Sequence, residues 1–309
     1  MERKVSMNLQ QKNQNVSVEG MEMNLCDFAL FLSVMRVREA HEITLRIIMD
    51  DPELKLDDVR VEEVVLNKSG KRAIRLDAWA KDARGTQYNM EMQNDIYKDS
   101  VKKRSRYYQS LMDSPILKSG KKTKYKQLPS TVVIFITQED IFGEGLVKYT
   151  FTEQCEEVVG LHLDDGTTKI FLNMNGKLGT PELVSLLQYM KETHLENPDI
   201  LVVDDNIRKL DEIVTEVLES EEWESVSMSI YSVAMEKGLE RGLERGRSGK
   251  MIELVCKKLR KGYSVDTIAY ELEEDFSLIQ KIVEFALKFA PMYDENAVLG
   301  AWLQMKEDK

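Results

Sequence analysis

Apolar residues recur at helical spacing near the start of the chain and again over its last third. Residues 25–49 have apolar positions three and four apart, which predicts one or two helices with a break near residues 36–39. Residues 1–24 are polar and are predicted to form a flexible arm. The acidic stretch 204–226 and the segments that follow it again have helical spacing. A soft domain boundary is therefore predicted near residue 200, with a main domain over 25–200 and a helical C-terminal region over 201–309.

The middle of the chain has the alternating or continuous apolar patterns of β-strands. The predicted strands are 58–66, 73–82, 86–93, 130–137, 146–152 and 167–174. In the second, the residues predicted to share one face are Ile74, Leu76, Ala78 and Ala80, and those on the other face are Arg75, Asp77 and Trp79. A short turn at 83–86 joins the second and third strands into a hairpin, and 98–114 reads as a basic helix. Strands mixed with helices predict an α/β fold.

Composition indicates a folded protein of the cytoplasm. Hydrophobic residues make up 42% and charged residues 31% of the 309-residue chain, which excludes a disordered composition. The three cysteines lie far apart and have neither disulfide nor metal-ligand spacing, as expected in a reducing compartment. The polar start lacks the apolar run of a signal peptide, and no apolar stretch is long enough to span a bilayer. We therefore expect a cytoplasmic protein without a membrane partner.

The net charge of −11 argues against binding to nucleic acid, but the basic residues are concentrated in one segment. Residues 98–126 contain ten basic residues and only two acidic ones. Such a basic patch on an acidic chain can hold a phosphate backbone, which makes nucleic acid a candidate partner. A solvated charged helix followed by a lysine-rich loop explains the same pattern, and charge alone leaves the two interpretations open.

Two carboxylates meet across the predicted hairpin. Asp77 and Glu91 are equally far from its turn, so they are predicted to lie opposite each other, and Gln93 shares the face of Glu91. Like charges at that spacing destabilise a sheet unless something compensates them. A Mg²⁺ ion, or Mn²⁺ in its place, would do so, because hard divalent cations prefer carboxylate and carbonyl oxygens. The alternative is a polar strand face whose charges are screened by Arg75 or nearby lysines.

The same residues carry a resemblance to a known family. The strings IRLDAWAKDARGTQYNMEMQ (74–93) and KKRSRYYQSLMD (102–113), followed by STVVIFIT (130–137), FGEGLVKYTF (142–151) and TTKIFLN (167–173), resemble the PD-(D/E)XK nuclease family transposases, relatives of the recombination-promoting nucleases. The resemblance covers roughly residues 25–190. It implies a restriction-endonuclease-like mixed sheet flanked by helices, with a helical C-terminal extension. It also implies a metal-dependent DNA endonuclease that hydrolyses phosphodiester bonds, linked to mobile elements, recombination or defence.

The resemblance also implies roles for individual residues. Asp77, Glu91 and the backbone carbonyl of Met92 would hold the metal, and Gln93 would position the water where related nucleases have a lysine. An acidic residue of the first helix often completes such sites, and Asp27, Glu39 and Glu42 are all candidates. The residues expected to contact DNA are Lys102, Lys103, Arg104, Arg106 and Tyr107, with Lys102 as a candidate for the charge that the absent lysine would supply. The competing interpretation is an inactive nuclease fold that binds nucleic acid or protein.

The C-terminal region carries two further patterns. Residues 261–286 are similar to a small helix-turn-helix, although the scarcity of positive charge favours a helical docking or dimerisation module over DNA reading. Residues 236–246 repeat a Lys/Arg-Gly-Leu-Glu unit every four residues, which places the glycines along one slowly drifting helix face. This repeat fits an exposed linker helix, and its glycine face would also let another helix approach closely. The C-terminal helices are candidates for contacts in a homo-oligomer. The three histidines are scattered and are predicted to be structural or surface residues.

Overall fold

The computed structural model of the protein describes residues 23–65, 73–94, 100–116 and 124–307. Its strands are β1 (Leu56–Val65), β2 (Ile74–Asp82), β3 (Gln87–Gln93), β4 (Thr131–Thr137), β5 (Lys148–Phe151) and β6 (Thr167–Asn173). Its helices are α1 (Phe28–Met35), α2 (Arg38–Met49), α3 (Val101–Asp113), α4 (Pro181–Lys191), α5 (Asp205–Leu218), α6 (Glu221–Leu259), α7 (Val265–Leu272), α8 (Phe276–Leu287) and α9 (Glu295–Glu307). The predicted helix break near residues 36–39 is confirmed, whereas most of the predicted N-terminal arm, residues 1–22, lies outside the described residues. None of the described helices is long and apolar enough to cross a membrane.

The strands form one mixed sheet in the order β1-β2-β3-β4-β6-β5. β1, β2 and β3 pair antiparallel, β3, β4 and β6 pair parallel, and β5 runs antiparallel along β6. Because a parallel pair needs a crossover connection, α3 lies in the chain between β3 and β4. The predicted α/β fold with a mixed sheet flanked by helices is confirmed.

The sheet is covered on both faces, which explains why β4 is buried along its whole length. One face carries the main core, in which strand residues such as Met90 and Ile134 pack with residues of α1, α2, α4 and α5. The other face carries a smaller core, in which Phe135 and Phe171 pack with Tyr108 and Leu111 of α3. Asp77, Glu91 and Gln93 lie in β2 and β3, beside the predicted DNA-contacting helix α3 that covers this second face.

Strand β2 does not keep one face throughout its length. Ala78 and Ala80 lie in the main core, as the alternation predicts. Ile74 and Leu76 lie instead in the smaller core beside α3. The prediction that these four residues share one face was therefore wrong.

The change of face occurs at Asp77, where the sheet is irregular. The backbone ladder between β2 and β3 extends from Lys81 only as far as the pair Ala78–Met90. In β1, the residue opposite Asp77 in register is Glu62, which has a φ of 55° in the left-handed region. Such irregularities bend a strand and re-aim its side chains. Local alternation could not predict this bend, because it depends on where the neighbouring strands separate.

The chain divides into two compact units, Met1–Ser227 and Met228–Lys309. Residues of α5, among them Ile207, Leu210 and Ile213, belong to the main core of the first unit, which therefore continues beyond residue 200. The second unit has its own core, to which α6, α7, α8 and α9 contribute. The two short helices expected within 261–286 are α7 and α8, and Ile268 and Ile279 pack in this core. The functional domain ranges given above stay predictions.

The burial of a histidine in α2 predicts how the stability of the protein depends on pH. His41 is fully buried, and burial lowers the pKa of its ring to about 4. Its Nδ1 lies 3.1 Å from the carbonyl oxygen of Met35, and Nε2 has no hydrogen-bond partner among the described residues. The folded state therefore holds a neutral ring, whereas the unfolded chain takes up a proton below pH 6.5. The stability contributed by the neutral ring is complete above pH 6.5 and is lost as the pH falls toward 4, by about 3 kcal/mol.

Chemical denaturation at a series of pH values between 7 and 4 would measure this loss. His41→Gln should flatten the decline in the free energy of unfolding relative to the unchanged chain, because glutamine has no proton to take up. His194→Gln is the matched control, since His194 is exposed, and it should leave the decline unchanged. Equal pH profiles for the His41→Gln variant and the unchanged chain would contradict the prediction.

Candidate active site on β2, β3 and α3

The site forms where β2 and β3 separate. Beyond the pair Ala78–Met90 the two strands are joined through side chains rather than through the backbone ladder. The backbone N–H of Asp77 donates to Oε1 of Glu91 at 3.0 Å. The backbone N–H of Met92 donates in return to Oδ2 of Asp77 at 3.3 Å. The two carboxylates therefore lie together, in the register that the hairpin predicts.

Arg104 in α3 supplies positive charge to this pair. Its Nη2 lies 2.7 Å from Oε2 of Glu91, and its Nη1 donates to the amide oxygen of Gln93. Nε donates to the hydroxyl of Tyr108 at 3.1 Å, one helical turn further along α3. Arg104 thus holds the side chains of Glu91 and Gln93 together with one rigid guanidinium group. Arg104 was predicted to contact phosphates or the edge of the active site, and its pairing with Glu91 was not predicted from the sequence.

Two other basic residues, both candidates for this charge, have closer partners outside the carboxylate pair, although the charge of Arg75 still lowers the pKa of Asp77 against the larger effects of burial and Glu91. Arg75 forms an ion pair with Glu62 of β1, at 3.2 Å between Nη1 and Oε1. The ammonium of Lys102 lies 4.1 Å from the ring centroid of Phe142, in the segment that follows β4. The hypothesis that Lys102 replaces the absent lysine is not supported by this contact, because Arg104 is the residue that pairs with Glu91.

Burial raises the pKa values of the two carboxylic acids. Burial first, and then the charge of Glu91, raise the pKa of Asp77 to about 7. Burial also raises the pKa of Glu91, which is fully inaccessible to solvent, although Asn89, the backbone of Asp77 and Arg104 oppose the shift. The positive charges of Arg104 and, more weakly, Arg75 therefore compensate the burial of the two carboxylates only in part. A further cation at this place would relieve the remaining repulsion.

Asn89 is a second residue of the site that sequence reasoning missed. Its Nδ2 donates to Oε1 of Glu91 at 2.9 Å, and the residue is fully buried. The available signal was alternation, since Asn89 lies two residues before Glu91 on the same strand face. Asn89, Arg104 and the backbone of Asp77 together fix the orientation of the Glu91 carboxylate.

The donor atoms fit a hard divalent cation. Asp77 and Glu91 offer carboxylate oxygens and Gln93 an amide oxygen. The side chain of Met92 packs in the main core on the opposite face, so Met92 has only its backbone carbonyl to offer. Oxygen donors around a buried negative charge are the environment that Mg²⁺ or Mn²⁺ selects. Among the described residues no group of three or more His, Cys, Asp or Glu could hold a metal, so water or substrate oxygens would have to complete this set.

Two of the three candidate acids in the first helices point elsewhere. Glu42 accepts a hydrogen bond from the backbone N–H of Leu56 at 2.9 Å. Burial alone would raise its pKa, but this bond and the nearby charges of Lys55 and Arg46 lower it below its usual value. Glu39 is exposed. The pKa of Lys209 in α5 is raised first by its hydrogen bond with Glu212, and the negative charge of Glu39 adds to that shift. Both carboxylates thus have structural surroundings of their own.

Asp27, just before α1, is the candidate whose neighbours contact the site strands. The side-chain Nδ2 of Asn94, which follows β3, donates to the carbonyl oxygen of Cys26 at 2.9 Å. On the other side, the guanidinium of Arg75 lies 5.7 Å from the ring centroid of Phe28. Asp27 itself accepts from the backbone N–H of Asn24. Of the three acids, Asp27 is therefore the one that adjoins the ends of β2 and β3 bearing the carboxylate pair.

A cleft of about 560 Å³ opens over Asp77. Its lining residues are Ala73, Ile74, Arg75, Asp77, Lys103, Arg104, Tyr107 and Tyr108. Of the residues predicted to contact DNA, the cleft therefore brings together Lys103, Arg104 and Tyr107. Arg106 is exposed on α3 outside this lining, and Lys102 faces Phe142.

The rest of the predicted basic patch is described only in part. Lys98, Lys118, Lys121 and Lys122 lie outside the described residues. Lys124 and Lys126 are exposed, at the 3₁₀ turn Tyr125–Gln127 that precedes β4. The described part of the patch thus consists of the N-terminal half of α3 beside the cleft and these two lysines.

Comparison with known proteins gives a family match over most of the first unit. A family model described as PD-(D/E)XK nuclease family transposase matches residues 45–228, which is more than half of the chain. The match includes β2, β3 and α3, and with them the whole carboxylate site. No curated protein and no solved structure matches the chain.

Proposed function

The chain belongs to the PD-(D/E)XK nuclease family transposases, and from this premise we propose that it is a metal-dependent DNA endonuclease. Its proposed reaction is hydrolysis of a phosphodiester bond. We assign the chemistry to the site of Asp77, Glu91 and Gln93, with Mg²⁺ or Mn²⁺ as cofactor. The setting that we propose is a cytoplasmic process involving mobile elements, recombination or defence.

The observation that carries the proposal is a buried pair of carboxylates at the edge of a cationic cleft. Their raised pKa values reflect negative charge that the described residues compensate only in part. The cleft beside them is lined by Lys103 and Arg104, which suit a phosphate backbone. A structural ion pair needs neither an open cleft nor two acids. The arrangement fits a polyanionic substrate whose scissile phosphate approaches Asp77.

The residues of the chain would divide the work of hydrolysis. Asp77, Glu91 and the Met92 carbonyl would hold the cation. When bound, such an ion neutralises charge on a phosphoryl oxygen and lowers the pKa of a water. Gln93 has an amide oxygen that would accept a hydrogen bond from the attacking water and orient it, while Arg104 and Asn89 keep the Glu91 carboxylate in place. Lys103 and Tyr107 at the cleft wall would bind the phosphates on either side of the scissile bond.

Plasmid nicking tests the proposal directly. Purified protein should convert supercoiled DNA into open-circular DNA with Mg²⁺ or Mn²⁺ and should not do so with EDTA. The Asp77→Ala and Glu91→Ala variants should both be inactive. If the unchanged chain shows no metal-dependent nicking on any DNA offered, while it still binds DNA, the competing assignment of a nucleic-acid-binding module replaces this one.

The exposed cations of α3 make a separate prediction about DNA affinity. Replacing Lys103 and Arg106 by glutamine removes two positive charges from the surface beside the cleft. Each lost phosphate contact should reduce the slope of log K against log salt concentration by about 0.9. The measurement is a salt titration of duplex binding in EDTA, which prevents cleavage. Lys209→Gln, on α5 outside the cleft, is the control, and an unchanged slope for the double variant would refute these contacts.

A further inference from the structure

The middle of α6 is a long stretch of helix whose surface no other described residue covers. Every residue from 231 to 247 is exposed. Large apolar side chains are among them, with exposed fractions of 64% for Met235, 65% for Leu239 and 56% for Leu243. These three residues recur every four positions, so they form one slowly drifting stripe along the helix. Apolar stripes of this kind normally pack against another element.

The same segment is costly to keep helical alone. It contains Gly238, Gly242 and Gly246, each of which disfavours a helix by about 1 kcal/mol relative to alanine. Helices in water owe most of their stability to packing of an apolar face. A Cβ atom added at any of these three glycines would meet nothing within 4 Å. The glycine face is therefore open to a partner that approaches closely.

The repeat distributes residue types in a fixed order around the helix. Each glycine is followed directly by a leucine or an arginine, about 100° further around the helix. The glycines therefore form one row along the helix and the leucines form the row next to it. These two rows together make up the open face. Beyond the leucine row lie Glu236 and Glu240. Beyond the glycine row lie Arg241 and Arg245. One edge of the face thus has large apolar side chains bordered by negative charge. The other edge has glycines bordered by positive charge.

We propose that this face binds the same face of a second copy of the chain, as a parallel, in-register pair of α6 helices. A two-fold axis along the helices places the leucine row of each copy against the glycine row of the other. It also brings Glu236 and Glu240 to the same side of the pair as Arg241 and Arg245 of the second copy, where the opposite charges attract each other. On both sides of the helix pair, large side chains then lie against glycines and negative charges lie near positive ones.

The antiparallel arrangement lacks this complementarity. Its two-fold axis would bring the leucine rows together on one side and the glycine rows together on the other. Glutamates would then flank glutamates and arginines would flank arginines. Like charges across such a seam oppose pairing, so the order of residues in the repeat selects the parallel orientation.

The contacts of the second unit leave this face accessible. Lys306 of α9 forms an ion pair with Glu244, which continues the row of Glu236 and Glu240 and so lies outside the leucine and glycine rows. Leu299 of α9 approaches Gly249, beyond the last repeat. The inference is independent of the proposed nuclease activity, because none of its residues belongs to the carboxylate site.

Sedimentation equilibrium of the full chain provides the first test. The unchanged protein should have twice the mass of one chain. Leu239→Glu with Leu243→Glu should give a monomer, as should Glu236→Lys with Glu240→Lys, which places like charges on both edges. Adding Arg241→Glu and Arg245→Glu to the latter pair should restore the dimer, with a dissociation constant at least about 10-fold below that of the double variant. A monomeric unchanged chain, or dimers that ignore these charges, would overturn the proposal.

Disulfide formation tests the orientation. In a Cys155→Ser background, which leaves only the buried Cys26 and Cys256, Met235→Cys should cross-link rapidly to its own equivalent. Glu244→Cys, in the glutamate row outside the leucine and glycine rows, is the matched control and should stay monomeric on a non-reducing gel. Circular dichroism of each variant separates loss of pairing from loss of the helix. Cross-linking through residue 244 but not through residue 235 would exclude the parallel register.

Discussion

Asp77→Asn is expected to lower the rate of metal-dependent DNA cleavage by about 10³-fold or more. The substitution keeps the size of the side chain and the oxygen that accepts from the backbone N–H of Met92. It removes the negative charge that a divalent cation requires. Cleavage should therefore be lost while the hydrogen-bond geometry between β2 and β3 is retained. Single-turnover cleavage of a plasmid at saturating protein measures the effect without a contribution from DNA affinity.

Stability measurements show whether the Asp77→Asn variant is folded. Because the pKa of Asp77 is raised, its ionised form destabilises the folded state, and the penalty grows as the pH rises from the unfolded value toward 7. The variant should then be at least as stable as the unchanged chain at pH 8 in EDTA. It should also lose the increase in melting temperature that Mg²⁺ or Mn²⁺ confers. Asp57→Asn, at an exposed position of β1, is the matched control. Cleavage retained by Asp77→Asn would remove Asp77 from the active site.

Arg104→Gln is expected to reduce cleavage and cation affinity by about 10- to 100-fold, the usual effect of losing a group that orients a metal ligand. Arg104 is the residue that pairs with Oε2 of Glu91 and donates to Gln93. Glutamine would leave the buried carboxylate without its main countercharge. Arg104→Lys should recover part of the activity, because it restores the charge but not the two-pronged geometry. Calorimetric titration with Mn²⁺ measures the affinity separately from the rate.

Arg106→Gln is the comparison that distinguishes orientation of the site from general DNA binding. Arg106 lies on the same helix but is exposed and outside the cleft lining. It should weaken DNA binding in a salt-dependent way and leave Mn²⁺ affinity unchanged. If Arg104→Gln and Arg106→Gln had the same profile, Arg104 would act on the DNA backbone and not on Glu91.

The difference between Lys102 and Arg104 shows where sequence reasoning stops. Both are basic residues of one predicted amphipathic helix, and both were assigned to DNA. Two positions along a helix are about 200° apart, so the two side chains leave α3 in nearly opposite directions. Only the packing of α3 across β3 and β4 decides that Arg104 turns toward Glu91 and Lys102 toward Phe142. The helical period gives relative directions but not the absolute rotation of the helix.

Local pattern determined a large part of this protein. Alternation and turn chemistry are properties of neighbouring residues, so the hairpin, the pairing of Asp77 with Glu91 and the placement of Gln93 could be predicted from the chain alone. Contacts between distant segments could not. The bend of β2 at Asp77 arises where its backbone ladder with β3 ends, and the burial that raises the pKa of Asp77 requires the covering helix. The sequence therefore determined which carboxylates meet, and the tertiary structure decided what surrounds them, because solvent exclusion and countercharge depend on packing across the sheet.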